Sequence, residues 1–219
     1  MDKLRLRFEK SGKAIYISHL DLMRTMQRAF LRAGYPLKYS EGFNPHAQIS
    51  ILLPLSVGAS SRCELMDFAL TESVDLREMP DRLSAVMPAG ITALEVYPEG
   101  RKRKELKWLR VRGVFEYDDR DAEAMAAGLE DFFARESIVI RKKTKRGEGE
   151  SDIAPAIREI AFTAGEAAVT VDAVLSAQEP TLNPDNLVAA LRQLSPELAP
   201  DFARFERVEV FDEKMEIFR

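Results

Sequence analysis

His19 and His46 are the two histidines of this 219-residue chain, and both lie in one short stretch. It runs Ile17-Ser18-His19-Leu20-Asp21 and then Ser40-Glu41-Gly42-Phe43-Asn44-Pro45-His46. Histidine titrates near neutrality, so it is the usual proton carrier and a common metal ligand. Three chemistries are open. Metal binding would need His19, Asp21, His46 and Cys63 to converge, yet no pair has a dense ligand spacing such as His-x-x-x-His or Cys-x-x-Cys. No metal or other cofactor is therefore expected. Acid–base chemistry would use His19 or His46 to take a 2′-hydroxyl proton while an arginine steadies the phosphate, as in a metal-independent endoribonuclease. Recognition without catalysis would use the Gly42–His46 turn, whose backbone donors and ring planes suit unpaired bases. The plain structural alternative is a helix start and a turn whose Ser40 and Asn44 bond their own backbone.

The cations fall into groups that suit phosphate. Arg5 and Arg7 alternate with Leu4, Leu6 and Phe8, which predicts a strand with a basic face. Arg24, Arg28 and Arg32 recur at four-residue spacing and share one helix face. Arg101 to Lys104, with Lys107, Arg110 and Arg112, forms one basic block, and Lys142, Lys143, Lys145 and Arg146 with Arg141 form another. Such blocks are either solvated faces and linkers or sequence-independent phosphate contacts. The net charge of -4 excludes a globally basic nucleic-acid binder but leaves a local basic face open.

The elements that must position these residues follow from periodicity and punctuation. Ser18 is a helix N-cap with Asp21 three residues on, and Gly34 and Pro36 stop the helix near Ala33. Strands are expected at Ile49 to Leu55, Cys63 to Leu70 and Ile91 to Tyr97, and a second helix from Leu76 to Met87. The second half predicts strands at Leu106–Tyr117, Ile138–Lys142, Ala167–Leu175 and Arg207–Phe211, and helices at Asp121–Arg135 and from Asn183 or Asp185 to Leu194. Two β-α-β-β-α-β units in sequence make the expected fold α+β, tandem ferredoxin-like with antiparallel sheets. The turn Pro98-Glu99-Gly100 divides domain 1–100, which carries the histidine motifs, from domain 101–219, which carries the basic strand and loop.

Composition is that of a globular protein, 46% hydrophobic and 31% charged. One cysteine excludes a disulfide framework and a Cys-rich zinc site within the chain. No apolar run reaches membrane-spanning length and no signal-peptide core follows Met1, so the expectation is a cytoplasmic protein with no membrane partner. No P-loop, dinucleotide glycine fingerprint, nucleophile elbow or Cys-x-x-x-Cys-x-x-Cys cluster is present. A conventional NTPase, a Rossmann enzyme and a radical SAM enzyme are thereby excluded for the chain on its own.

Ile17-Ser18-His19-Leu20-Asp21-Leu22 with Arg24, Arg28 and Ala29, then Ser40, Gly42-Phe43-Asn44-Pro45-His46, Ile49-Ser50, Pro54-Leu55 and Gly58, resembles the radical-SAM-linked protein family of unknown function. Members are encoded beside, or fused to, a cobalamin-binding-type radical SAM protein. The resemblance implies an accessory of that enzyme, non-catalytic, that binds or presents a structured RNA substrate; a protein-only adaptor is the other alternative beside the nuclease. Arg5, Arg7, Arg24 and Arg28 are then expected on phosphate. Gly42, Phe43, Asn44 and His46 are expected on a base or the partner enzyme, and Lys142, Lys143, Lys145 and Arg146 on a second basic surface. The chain departs from the family pattern at Ala47-Gln48 and at Ala154, where proline with a basic residue and an arginine are usual.

Overall fold

The computed structural model describes residues 3–144 and 147–219. They form two compact units, one running to Arg103 together with Arg219, the other Lys104–Phe218. Each is a mixed α+β structure with an antiparallel sheet. No helix among the described residues is long and apolar enough to cross a membrane.

In the first unit β1 (Leu4–Lys10) is followed by α1 (His19–Arg32), β2 (Ile49–Ile51), β3 (Ser60–Phe68), α2 (Met79–Ser84) and β4 (Ile91–Pro98). The strands lie in the order β4-β1-β3-β2. Leu6 faces Met66 on one neighbour and Val96 on the other. α1 buries Leu22, Met26, Ala29 and Phe30, the spacing of one helical face. That face packs on the sheet through Leu6, Phe8, Met66 and Phe68. Phe30 meets Phe68 edge to face, with ring centroids 4.8 Å apart. The expected strand over Ile49–Leu55 is shorter, ending at Ile51, and the helix expected from Leu76 begins at Met79. Asp75 and Arg77 close a local turn just before it, with a 2.7 Å ion pair.

In the second unit the order is β5 (Trp108–Glu116), α3 (Ala122–Phe133), the hairpin β6 (Val139–Thr144) and β7 (Gly147–Asp152), then β8 (Ile157–Ala164), β9 (Ala168–Ser176), α4 (Asp185–Leu194) and β10 (Phe202–Phe211). The sheet runs β10-β5-β9-β8. Two corrections arise. The strand beside β9 is β8, not the expected Ile138–Lys142 segment, which forms a separate two-stranded hairpin with β7. The last strand begins at Phe202 rather than Arg207. Gly113 on β5 leaves room for the Phe205 ring, which a Cβ there would meet at 2.8 Å. The outer edge of β6 is occupied by one side chain of α4. Gln193 accepts from the Arg141 backbone N–H at 2.8 Å and donates to its carbonyl at 3.1 Å.

Candidate functional site

Ser18 caps α1 through an accepted hydrogen bond from the Asp21 N–H at 3.2 Å, and its hydroxyl donates to the Asp21 carboxylate at 2.7 Å. Asp21 also accepts from Arg24 at 3.0 Å. These bonds, the Ser18 hydroxyl first and Arg24 second, hold the Asp21 carboxyl below the usual aspartate range. His19 is exposed at the first helical position. Arg24 and Arg28 stand exposed on one face of α1, and Arg28 has no ion-pair partner among the described residues.

After α1 the chain turns at Gly34 and builds a short hairpin. Ser40 donates its N–H to the His46 carbonyl at 2.8 Å, the His46 N–H donates to the Ser40 hydroxyl at 3.0 Å, and the Gln48 N–H donates to the Lys38 carbonyl at 2.7 Å. Tyr39 bridges Ala47 between them. The tip, Glu41 to Pro45, has Gly42 at φ +120, a conformation open to glycine and strained for other residues. Phe43 is fully exposed at this tip. The His46 imidazole is exposed with no hydrogen-bond partner among the described residues, which is not the environment of a buried, satisfied structural histidine. His19 likewise has none, and among the described residues no three His, Cys, Asp or Glu side chains group as metal ligands.

A groove of about 510 Å³ runs beside the hairpin's base, lined on the helix side by Arg24, Gln27, Arg28 and Leu31 and on the other by Tyr35 and Tyr39. Gln27, Leu31 and Tyr39 are absent from the sequence-based candidates. The groove exists because residues 35–39 fold back alongside α1, a tertiary event that leaves no local signature. The residual signal is Tyr39 itself, an aromatic next to Lys38 in a polar turn.

The other expected basic residues behave differently. Arg5 is wholly buried and cannot meet phosphate as expected. Its Nε donates to Asp67 at 2.6 Å, and its Nη2 donates to the other Asp67 oxygen at 3.2 Å and to the Arg101 carbonyl at 2.8 Å. Arg7, half-buried, has its Nε buried without a partner among the described residues, so it too is largely withdrawn from solvent. Arg110 and Arg112 on β5 both pair with Asp172 on β9, at 2.8 and 3.7 Å. On β6 Arg141 pairs across the hairpin with Glu150 at 3.7 Å, and Lys142 is half-exposed. Lys143 lies on β6, while Lys145 and Arg146 fall outside the described residues. The structure thus brings Arg24 and Arg28 together with Tyr39, at the base of the hairpin that carries Gly42–His46 at its tip, and does not place Arg5 or Arg7 in that groove.

The family described as "Uncharacterized protein conserved in bacteria (DUF2344)" matches the chain over residues 3–184. The chain belongs to this family. No curated protein matches it. A chain in the crystal structure of a Cbf5-Nop10-Gar1 complex is similar in fold, with a TM-score of 0.50 and 11% identity. That match covers 96% of this chain and 50% of the other, so the chain spans half the length of that neighbour. The crystal structure of an unknown protein from Galdieria sulphuraria matches at 9% identity over 94% of this chain and 98% of that one, and its TM-score of 0.27 carries no argument.

Proposed function

We propose that this chain is a non-catalytic accessory protein that binds RNA and presents it to a radical SAM enzyme encoded nearby, in the cytoplasm. The observation that carries the RNA part is the hairpin tip. It holds a fully exposed Phe43 with Asn44 and His46 in solvent, on a hairpin whose base residue Tyr39 shares a groove with Arg24 and Arg28 of α1. Exposing a phenylalanine to water is unfavourable, and a base or a partner side chain covering it recovers that cost. Cations alongside meet phosphate without sequence preference. The enzyme partner comes from the family resemblance and not from this geometry.

We read the two units as two domains, each ferredoxin-like, since strand orders β4-β1-β3-β2 and β10-β5-β9-β8 suit that reading, the second with the β6–β7 hairpin inserted. The test is crosslinking in cells with recovery of bound RNA and bound protein. Intact RNA recovered with the enzyme is the expected result. RNA shortened at one position would favour an endoribonuclease using His19 or His46, and the enzyme without RNA would favour a protein-only adaptor.

A further inference from the structure

We infer that the groove between α1 and Tyr39 takes the base of one unpaired nucleotide of an RNA chain, its phosphate resting on Arg28 and Arg24. The inference rests on the RNA-binding reading above and narrows it from RNA in general to single-stranded segments. The groove, at about 510 Å³, falls within the range of roughly 300–1,000 Å³ typical of small-molecule sites and accommodates a nucleoside. Its walls supply the three contacts an unpaired nucleotide needs.

Leu31 and Tyr39 are large apolar side chains left 77% and 52% exposed, and a base between them covers both. Gln27 carries an amide that both donates and accepts at a base edge. Arg28, exposed and without an ion-pair partner among the described residues, meets the phosphate. Arg24 contributes less charge because Asp21 lies 3.0 Å away. Tyr35 closes the groove on its inner side, its hydroxyl buried with no hydrogen-bond partner among the described residues. A duplex cannot deliver a base here, because its bases are stacked and paired and its backbone alone reaches the helix. Stacking tolerates any base, so discrimination should be by strandedness rather than by sequence.

The experiment compares two RNAs of equal length and charge by fluorescence anisotropy, a stem with an unpaired loop and a fully paired duplex. The full-length chain is expected to bind the loop RNA about tenfold more tightly, the scale of one stacked base. Tyr39→Ala and Leu31→Glu should each remove that preference, and Tyr39→Phe should keep it. Circular dichroism melting of each variant separates loss of the site from loss of the fold, with Leu31→Glu, on an already exposed helix position, as the variant least disturbed. Salt-dependent binding of both RNAs with no loop preference, or a preference untouched by Leu31→Glu, overturns this inference while leaving the RNA-binding reading in place. Binding of neither RNA overturns both. Competition by free AMP at the same concentration as the loop RNA assigns the groove to a free nucleotide and overturns the assignment to RNA.

Discussion

Asp67 holds the Arg5 guanidinium, which the first unit buries completely, so its removal strands a charge. Asp67→Ala is expected to lower stability by about 3–5 kcal/mol, the usual cost of breaking a buried pair from one side. Chemical denaturation measures it. A shift under about 1 kcal/mol would mean that the Arg101 carbonyl and Glu99, 3.9 Å from Nη2, suffice for Arg5. His46→Ala should do the opposite. The imidazole has no hydrogen-bond partner among the described residues, and the hairpin's bonds run through the His46 backbone and the Ser40 hydroxyl. Melting temperature should stay unchanged while affinity for RNA or for the partner enzyme falls; unchanged binding with lower melting temperature would make the residue structural. The two sites also show what alternation in a sequence conveys. Leu4, Leu6 and Phe8 correctly mark a buried face of β1, and the charge of the residues between them points to a solvated one. Arg5 lies in the interior instead, and its partner is 62 residues away, too distant for any local pattern to reveal.

Helix α1 is the element whose energetics are most exposed to test. Ser18→Ala should cost about 1 kcal/mol by freeing the Asp21 N–H. The Asp21 carboxyl, held below the usual range, stabilises the fold above that range and loses its contribution as pH falls through the lowered value. Part of the acid sensitivity of wild type should accordingly disappear in Ser18→Ala. Replacing Arg24 and Arg28 together should weaken RNA binding and flatten its salt dependence, by roughly one unit of slope for each phosphate no longer neutralised. An unchanged slope would make the arginine row an ordinary solvated face. α1 was legible because a capping serine, an apolar 3–4 spacing and a terminal glycine all agree. β8 was not legible. It follows Pro155, its register shifts between Ile157 and Glu159, and alternation holds only over the five residues from Ile160 to Ala164 with Phe162 alone buried, so the periodic signal is short and weak.

At the scale of the molecule, alkaline pH should find a weak point in the second unit. Burial pushes the Tyr117 hydroxyl up to about 12, and it donates to the Leu198 carbonyl at 3.0 Å under the Arg120 guanidinium. Because the folded value lies above the ordinary tyrosine value of about 10, this contribution is complete below that pH. It is lost as pH rises through the folded value. Thermal melts followed from about pH 9 to 12, the span that brackets both values, should show the decline in wild type and a flatter profile in Tyr117→Phe. The β6–β7 hairpin bears on a different property, how the protein behaves when crowded with its own copies. A strand edge with open N–H and C=O groups is a template for adding a strand from another molecule. Gln193 fills part of that template with a side-chain amide that mimics a neighbouring backbone at Arg141. Its role is then that of a guard against intermolecular pairing, and its loss would be felt in solutions kept concentrated rather than in any assay of binding.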